Sequence, residues 1–417
     1  MKIAILTIGD ELLNGDLADT NTTTIARALL NHSLRLREAS TIGDREEDIA
    51  AALQRLANTH DVVLATGGLG PTEDDRTARA AARAFERTLS LNDKALMQIR
   101  ARFHARQREM HPGNEKQALL PGRSTVIANH SGTAPGFHLQ SNRTDLYFLP
   151  GVPQEMLAML DEYVIPSLLQ RFPNPPPQCQ RVMTVFGLSE PDVEARINSN
   201  GLPEGVELAF NVEFPIVLVK LRARGENVQK LVDRAELAVR KALGDHVVGI
   251  DSETLPGATA RLLSTAGMTL SLAESCTGGL IAKLLTDQPG SSAFLERSVV
   301  TYANSAKVNC LHVDQEIIDC HGAVSAECAE AMAKGLRTAS RTDISLAVTG
   351  IAGPDGGTVD KPVGTVYLAM TSPWAECVER FNFSGNRDQV RMRSACTALD
   401  WLRRLAMSRL SATEQEN

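Results

Sequence analysis

The segment MTLSLAESCTGGLIAKLL, residues 268–285, indicates the fold class of the C-terminal part of this chain. MTLSLA alternates as a strand does, whereas LIAKLL resembles the first turns of a helix. Ser275 therefore lies on a glycine-rich turn near a helix N-terminus, where unpaired backbone N–H groups can stabilise negative charge developing on an oxygen. Such a position is typical of a nucleophile. The alternative is that Ser275 or Thr277 only caps the helix and the two glycines relieve crowding.

Strand-like runs alternate with helical patterns at both ends of the chain. In the N-terminal part we predict strands at residues 2–7, 34–42 and 62–66, with helices from about residue 20 and over residues 44–58. After residue 257 the predicted strands lie at 268–273, 298–303, 344–350 and 363–370. Such alternation is typical of sheets covered by helices. The sequence therefore predicts two three-layer α/β domains.

Prolines and glycines mark the predicted domain boundaries. RFPNPPPQC, residues 171–179, contains prolines that cannot continue a helix or a central strand. A weaker boundary lies at residues 249–257, so we expect domains at 1–170, 175–250 and 255–412. The middle segment has the order β-α-β-β-α-β and predicts a small α+β (KH-like) domain. It lacks the GxxG loop of RNA-binding KH domains, which favours a structural or dimerising role.

Composition narrows the function classes. The formal net charge of -7 argues against broad binding to phosphate backbones, and the arginine-rich residues 100–108 are interpreted as a solvated helix face. The seven cysteines show no paired spacing, which favours reduced thiols in the cytoplasm. The N-terminus lacks a signal-peptide pattern, and no apolar run reaches the roughly 18 residues that span a bilayer. We therefore expect a cytoplasmic protein without a membrane partner or a strong nucleic-acid signal.

Other polar residues are predicted to lie at strand ends near Ser275. Tyr302 and Lys307 follow one predicted strand, and Thr349 ends the next. Open α/β sheets bind ligands at the carboxyl ends of their strands, so these side chains are expected to converge. Neither candidate histidine, His312 or His321, has such a position, which makes Lys307 the candidate base for Ser275. Burial or a neighbouring cation must then keep the Lys307 amine neutral. Taken singly, Lys307 is more simply a surface residue at a helix start.

Cys276 is a competing nucleophile, because a thiolate is intrinsically more reactive than an alkoxide. It has no evident histidine partner. We therefore expect the Cys276 side chain to pack inward.

The segment LATGGLGPTEDD, residues 64–75, joins a glycine-rich loop to acidic residues. Its glycines and carboxylates are Gly67, Gly68, Gly70, Glu73, Asp74 and Asp75. Carboxylates beside a phosphate-binding loop would repel the ligand, so this pairing requires a bridging divalent cation. Alternatively, the glycines form an ordinary tight turn, and the carboxylates lie favourably in the first turn of a helix.

Five C-terminal motifs resemble the competence/damage-inducible protein A (CinA) family. They are AESCTGG, GSSAFLERSVVTYANSAK, HGAVS, TGIAGPDGG and KPVGTVY. The C-terminal domain of that family is similar to bacterial nicotinamide mononucleotide deamidase. The resemblance therefore implies hydrolysis of nicotinamide mononucleotide to nicotinate mononucleotide and ammonia, in pyridine nucleotide recycling, with no cofactor.

The same resemblance implies roles for individual residues. Ser275 would be the nucleophile and Lys307 its general base, with Tyr302 and Thr349 assisting. We expect Gly278 and Gly279 to form the anion-holding turn. The candidates for binding the substrate phosphate are Ser291, Ser292 and Arg387.

Three N-terminal motifs resemble the other domain of the same family. TIGDELLNGDLADTN, TGGLGPTEDD and PGVPQEM are similar to a molybdopterin-binding fold. In the family this domain implies a metal-dependent pyrophosphatase acting on ADP-ribose, with magnesium, cobalt or manganese and with potassium. Its candidate metal or phosphate-site residues are Asp10, Glu11, Asp74 and Asp75, of which Asp74 and Asp75 are the candidate metal ligands.

The family resemblance also implies a homodimer. Two other functions remain open: a non-catalytic partner or ligand sensor in competence or DNA repair, and a molybdopterin-binding protein. The first would have no need for Ser275, Tyr302, Lys307 and Thr349 together, and the second leaves the C-terminal half unexplained.

Overall fold

The computed structural model describes the backbone of residues 1–416 and side chains as far as residue 412. The chain divides into two compact units, Met1–Pro177 and Gln178–Asn417. This division falls in the proline-rich segment, where prolines lack the N–H donors that a continuing helix needs. Among the described residues, no helix has both the length and the apolar character needed to cross a membrane.

The first unit alternates strands and helices. Its strands are β1 (Ile3–Ile8), β2 (Leu36–Ile42), β3 (Val62–Thr66), β4 (Leu89–Leu91), β5 (Leu119–Pro121), β6 (Thr125–Ile127), β7 (Gly136–Ser141) and β8 (Thr144–Leu149). Its helices are α1 (Asp10–Leu13), α2 (Thr20–Asn31), α3 (Glu46–Thr59), α4 (Thr77–Ala84), α5 (Asp93–Ala105), α6 (Pro153–Met159) and α7 (Ile165–Arg171). A 3₁₀ segment, Pro112–Ala118, precedes β5, and a π-helical turn, Leu160–Val164, joins α6 to α7.

The main sheet of this unit has the order β2-β1-β3-β8-β7-β6. Its first four strands are parallel, whereas β7 and β6 are antiparallel additions. Apolar residues of β1 alternate between two cores, with Leu6 and Ile8 on one face and Ile3 and Ile5 on the other. Helices α3, α4 and α5 pack in the first core and α2, α6 and α7 in the second. The predicted three-layer α/β architecture is therefore confirmed.

The second unit contains two further sheets. Its strands are β9 (Gln178–Val185), β10 (Val206–Glu213), β11 (Ile216–Arg224), β12 (Val247–Ile250), β13 (Leu270–Glu274), β14 (Leu295–Val300), β15 (Ile344–Gly350), β16 (Thr365–Thr371) and β17 (Glu376–Asn382). Its helices are α8 (Glu190–Asn200), α9 (Val228–Leu243), α10 (Leu255–Thr265), α11 (Leu280–Thr286), α12 (Asn304–Leu311), α13 (Gln315–His321), α14 (Ala326–Ser340) and α15 (Arg387–Glu416). Short 3₁₀ segments lie at Gly244–His246 and Ser291–Ala293.

The middle segment has the predicted order, β9-α8-β10-β11-α9-β12. Its strands pair antiparallel in the order β10-β11-β9-β12, which is the split β-α-β arrangement of ferredoxin-like domains. Phe186 and Val248 of this segment pack in one hydrophobic cluster with Leu255 of α10. The middle segment and the C-terminal segment therefore share a core.

The C-terminal sheet positions the candidate site. Its order is β14-β13-β15-β16-β17, with β14, β13 and β15 parallel and the last two strands antiparallel. Leu270 and Leu272 of β13 pack with α10, α11 and α15, whereas Ala273 packs with α12, α13 and α14 on the other face. The carboxyl ends of three parallel strands therefore meet at one edge of a layered sheet.

Gly335 of α14 has a steric role against α12. A Cβ atom at this position would lie 1.7 Å from the carbonyl oxygen of Leu311. Helix propensity alone favours alanine over glycine by about 1 kcal/mol. Here we expect Gly335→Ala instead to lower the free energy of unfolding of the second unit, by about 1–3 kcal/mol, because the helices must separate.

Chemical denaturation of the full chain, followed by circular dichroism, measures this change. Ala339→Gly, at an exposed position of the same helix, is the matched control and should show only the propensity cost of about 1 kcal/mol. An increase in stability for Gly335→Ala would contradict the steric explanation.

Candidate functional site

Ser275 lies on a short turn between β13 and α11. Its backbone N–H donates to the carbonyl of Val348 in β15 at 2.9 Å, and the N–H of Gly278 donates to the Ser275 carbonyl at 3.1 Å. Gly278 and Gly279 have φ angles of 60° and 88°. These angles lie in the left-handed region, where a side chain would be strained. The two glycines therefore allow the chain to reverse directly after Ser275.

Lys307 of α12 contacts the Ser275 hydroxyl. The Lys307 Nζ lies 3.1 Å from Ser275 Oγ, 2.8 Å from the carbonyl oxygen of Thr301 and 3.4 Å from that of Tyr302. Only 1% of Lys307 is exposed. Burial lowers the pKa of the Lys307 amine from its ordinary value, because the charged form loses hydration.

As an ammonium group, Lys307 Nζ donates to all three of these oxygens, and the same contacts also suit the neutral amine. A neutral amine has two N–H donors and one lone pair. A carbonyl oxygen can accept a hydrogen bond but cannot donate one, so the carbonyls of Thr301 and Tyr302 use both N–H donors of the neutral amine. The lone pair then remains for the hydroxyl hydrogen of Ser275. This arrangement can remove a proton from the serine when it attacks a carbon atom.

Tyr302 and Arg387 form the exposed rim of this site. Tyr302 is 60% exposed, and its hydroxyl accepts a hydrogen bond from Arg387 Nη2 at 2.8 Å. Arg387 Nη1 donates to the carbonyl of Gly353 at 2.7 Å. Thr349 is buried, and its hydroxyl donates to the carbonyl of Ala323 at 2.7 Å. The structure therefore connects Tyr302 to both Lys307 and Arg387. Thr349 follows Val348, whose carbonyl accepts the Ser275 N–H, and the Thr349 hydroxyl hydrogen is already engaged.

Ser291 and Ser292 lie at the other end of the sheet, which corrects the expectation that they bind the substrate phosphate beside Ser275 within one chain. They precede β14, whose first residue pairs with Leu270 at the start of β13. Ser275 follows the last residue of β13. Ser275 lies five positions after Leu270, which corresponds to about 16 Å along the strand, because each residue advances the strand by about 3.3 Å.

The first N–H groups of α11 are also arranged differently from the expectation. The Glu274 carboxylate accepts hydrogen bonds from the N–H groups of Ile281, at 3.2 Å, and Ala282, at 2.9 Å. These donors are therefore satisfied within the chain and cannot serve a ligand. The unpaired donors lie in the turn itself, since the N–H groups of Thr277 and Gly279 have no acceptor among the described residues.

Sequence reasoning missed Arg391, which also contacts the turn. Its Nε and Nη2 atoms donate to the carbonyl of Thr277 at 3.2 and 2.9 Å. Arg391 follows Arg387 by four residues in a helix, and residues at this spacing share a helix face. This four-residue spacing was the sequence signal that could have indicated Arg391 as a site residue. Glu274 was missed as well, although it immediately precedes Ser275.

Cys276 packs inward, as predicted for a residue that is not the nucleophile. The residue is buried, and burial raises the pKa of its thiol to about 12. The thiolate, which is the reactive form, is therefore scarce near neutral pH.

The first unit contains a cleft of about 810 Å³ at the carboxyl ends of β1, β3 and β8. All three motifs that resemble the N-terminal domain of the family contribute to its lining, including Glu11, Gly67, Gly68, Gly70, Asp74, Asp75 and Glu155. Gly67 has a φ angle of 110°, and a Cβ atom there would lie 2.1 Å from the carbonyl oxygen of Ile8. The cleft therefore requires bare backbone at this strand end.

A repeated TIGD motif holds the first two strand ends together. It occurs at residues 7–10 and 41–44, which follow the parallel strands β1 and β2 in register. The N–H of Asp10 donates to the Asp44 carboxylate at 2.9 Å, and the N–H of Asp44 donates to the Asp10 carboxylate at 3.1 Å. The Asp10 carboxylate is thus engaged by the Asp44 backbone, and Asp10 is not among the residues that line the cleft. Asp44 was missed, although the repeat was a readable signal.

Negative charge concentrates on this side of the cleft. Burial raises the pKa of the Asp44 carboxyl, and the negative charges of Asp10, Glu11 and Asp74 raise it further, against the effect of its backbone hydrogen bond. The Asp75 carboxylate accepts hydrogen bonds from the N–H and the hydroxyl of Thr72, at 2.9 and 2.5 Å. Hydrogen bonding by Thr72 lowers the pKa of the Asp74 carboxyl.

The described residues provide no preformed metal cage, because no three His, Cys, Asp or Glu side chains among them are grouped to hold one ion. The oxygen donors nevertheless suit magnesium or manganese, which are commonly held by one or two carboxylates together with substrate phosphates. Both predicted metal ligands, Asp74 and Asp75, line the cleft together with Glu11. Because the Asp75 carboxylate already accepts two hydrogen bonds from Thr72, Glu11 and Asp74 are the carboxylates that would hold such an ion.

Comparison with known proteins identifies the family. Residues 252–406 match the CinA C-terminal domain, and residues 4–170 match a family described as a probable molybdopterin binding domain. A CinA-like protein of Syntrophotalea carbinolica is 55% identical over 404 residues, which cover 97% of this chain and 98% of the relative. Another, from Geobacter metallireducens, is 50% identical over 412 residues, covering 98% of this chain and 100% of the relative.

Solved structures include the competence/damage inducible protein CihA of Agrobacterium tumefaciens. It is 41% identical, covers 36% of this chain and 94% of its own, and gives a TM-score of 0.35. The sequence relatives span nearly the whole chain. The protein therefore belongs to the CinA family, with a molybdopterin-binding-like N-terminal domain.

The raised pKa of Cys276 predicts resistance to alkylation. At pH 8 only about one Cys276 thiol in ten thousand is ionised if its pKa is about 12, so iodoacetamide should leave it unmodified while the exposed Cys310 and Cys320 react. Mass spectrometry of the digested protein measures the modification at each cysteine. Modification of Cys276 as fast as that of Cys310 would contradict this assignment and restore the thiol as a candidate nucleophile.

Proposed function

We propose that the C-terminal site hydrolyses nicotinamide mononucleotide to nicotinate mononucleotide and ammonia. The observation that carries the proposal is the buried Lys307 amine, 3.1 Å from the Ser275 hydroxyl. Such a pair can cleave a carboxamide without a metal or an organic cofactor. Membership in the CinA family supports the choice of substrate.

In the proposed reaction, Ser275 Oγ attacks the amide carbon while its proton moves to the lone pair of Lys307 Nζ. The carbonyl oxygen becomes negatively charged. Lys307 then donates the proton to the amide nitrogen, the C–N bond breaks, and ammonia leaves an ester on Ser275. Water attacks this ester, with Lys307 accepting its proton and returning one to Ser275 Oγ as the carboxylic acid forms. The acid then releases its proton to solvent.

The turn after Ser275 supplies donors for the negatively charged oxygen. The N–H groups of Thr277 and Gly279 are unpaired among the described residues. Backbone donors aimed at a developing oxyanion stabilise the transition state more than the ground state. Gly278 contributes by closing the turn, since its own N–H donates to the Ser275 carbonyl.

Arg387 is our candidate for the phosphate of the substrate. A guanidinium has five N–H donors, and Arg387 contacts only Tyr302 and Gly353 among the described residues. The remaining donors can therefore bind phosphate oxygens at the exposed rim. Tyr302 would then orient Arg387 and border the bound ring.

Replacing Lys307 should abolish most of the activity. Lys307→Met removes the proton acceptor while keeping an apolar chain of similar length, so we expect kcat for ammonia release to fall by roughly 10²–10⁴-fold. The kcat of Lys307→Arg should fall as far, because a guanidinium does not deprotonate near neutral pH. A coupled ammonia assay measures both variants. Lys334→Met, at an exposed lysine, is the control. Equal activity of Lys307→Met and this control would contradict the role of Lys307 as the base.

The pH dependence follows from the lowered pKa of Lys307. Activity should rise with pH through that pKa, because only the neutral amine accepts a proton, and the midpoint should lie below the ordinary lysine value. The free energy of unfolding of this unit should also rise with pH between these two values, since the unfolded state binds more protons there. A pH profile of kcat/KM without an acidic limb would contradict Lys307 as the base.

For the first unit we propose a second activity, cleavage of the pyrophosphate of ADP-ribose. The supporting observation is a cleft whose lining combines bare glycine backbone with mutually repelling carboxylates. A divalent ion held by Glu11 and Asp74 would neutralise phosphate charge and polarise the phosphorus–oxygen bond. The glycine-rich loop over Gly67, Gly68 and Gly70 would contact the phosphates through its backbone.

ADP-ribose should be hydrolysed to AMP and ribose 5-phosphate when magnesium, cobalt or manganese is supplied with potassium. Glu11→Gln should lower this rate by roughly tenfold to hundredfold, the range typical of residues that support a metal site. Chromatography of the nucleotides measures the products, and Glu162→Gln, at an exposed position of the same unit, is the control. Intact ADP-ribose under every metal condition would rule out this activity.

The homodimer and the cytoplasmic location remain predictions. The non-catalytic role in competence or DNA repair is the alternative, and it predicts that neither substrate is turned over.

A further inference from the structure

Glu274 connects the strand before Ser275 to the helix after it. The residue is fully buried, and each of its carboxylate oxygens accepts one N–H from the first turn of α11. Its backbone carbonyl accepts the N–H of Thr301 at 2.8 Å. Glu274 thus joins β13, α11 and the end of β14, where Thr301 also binds the Lys307 amine.

Arg391 holds the same turn from α15. Both of its hydrogen bonds end on the carbonyl oxygen of Thr277. In a trans peptide unit the C=O and the following N–H point in opposite directions. The N–H of Gly278 belongs to this unit and donates to the carbonyl of Ser275. Arg391 therefore orients a single peptide unit whose other side holds the backbone of Ser275.

We propose that Glu274 and Arg391 are positioning residues for the nucleophile. Together they would fix the turn over residues 275–279, so that Ser275 Oγ stays within reach of Lys307 and the unpaired N–H groups face the developing oxyanion. This inference rests on the proposed amidase function for its substrate. It goes beyond that function by assigning roles to two charged residues that do not themselves contact the Ser275 hydroxyl.

Glu274 and Arg391 support the turn through different contacts, so losing each has a different consequence. Loss of the Glu274 carboxylate leaves buried helix N–H groups unsatisfied, which is costly in a dry environment. Loss of the Arg391 guanidinium frees the Thr277 peptide unit to rotate. A Cβ at Gly278 would lie 3.5 Å from Arg391 Nη2, so the guanidinium also packs closely on the turn.

Steady-state kinetics with nicotinamide mononucleotide test this proposal. In Glu274→Gln one oxygen becomes an amide NH₂ group, which cannot accept the helix N–H, and in Arg391→Met both donors are lost. We expect kcat to fall by roughly tenfold to hundredfold in each variant, because a small misplacement of reacting groups has effects of that size. KM should stay within about twofold, because substrate binding is unaffected.

Arg393→Met is the matched control, since Arg393 lies on the same helix and contacts Phe214 and Ser384 instead of the turn. It should keep the kcat of the unaltered protein. The double variant Glu274→Gln/Arg391→Met should lose less activity than the product of the two single losses, because both residues support one turn. Guanidinium ion should raise kcat of Arg391→Ala, because it restores the planar set of N–H donors that this variant lacks. Methylammonium does not have that set of donors and should not raise kcat.

Labelling of Ser275 separates failure of this proposal from failure of the proposed substrate. An alkyl fluorophosphonate forms an Oγ–P bond with an activated serine and releases fluoride, whether or not the protein hydrolyses nicotinamide mononucleotide. Ser275 should be labelled in the unaltered protein, and roughly tenfold to hundredfold more slowly in Glu274→Gln and in Arg391→Met.

If Ser275 is labelled normally but nicotinamide mononucleotide is not hydrolysed, the substrate is wrong and the labelling rates still decide the positioning role. Unchanged labelling rates and kcat in both variants would overturn the role of Glu274 and Arg391. A raised KM at unchanged kcat would instead make Arg391 a substrate-binding residue. If Glu274→Gln does not fold, the kinetics of Arg391→Met and the rescue of Arg391→Ala by guanidinium decide the outcome.

Discussion

Burial of the Lys307 amine is the constraint on which the C-terminal site depends. An amine with 1% exposure must have partners for its hydrogens, and the carbonyls of Thr301 and Tyr302 provide them at the point where β14 leads into α12. Ser275 comes from the neighbouring strand, β13, in parallel register with β14. A shift of one residue in this register would turn every side chain of the strand to the opposite face. The contact between Ser275 and Lys307 therefore depends on the register of β13 and β14.

The two candidate sites use opposite electrostatics on the same architectural principle. Each lies at the carboxyl ends of parallel strands, where open sheets bind ligands. In the C-terminal site, burial lowers the pKa of the Lys307 amine and so favours the neutral form that can act as a base. In the N-terminal cleft, Glu11, Asp44 and Asp74 accumulate negative charge that a cation together with phosphate groups would relieve. One site therefore suits attack on a neutral amide, and the other suits a highly charged pyrophosphate.

The α/β class, the order of the middle domain and the convergence of Lys307 with Ser275 could be predicted from the sequence, because alternation of apolar runs determines strands and their ends. The rest depends on tertiary detail. The spacing of Ser291 from Ser275 does not reveal that a helix returns the chain to the opposite end of the sheet. The apparently free N–H groups of α11 are occupied by Glu274, which no local pattern indicates. Asp44 was recognisable only from the repeated TIGD motif.

The central claim is that Ser275 attacks a carboxamide carbon and carries the acyl group in an ester. Acid quenching during turnover of nicotinamide mononucleotide, followed by digestion and mass spectrometry, tests this claim directly. The account predicts a peptide containing Ser275 whose mass is increased by the nicotinate mononucleotide acyl group, and which is absent in Ser275→Ala. Turnover without this adduct, or an adduct on Cys276 instead, would contradict the account.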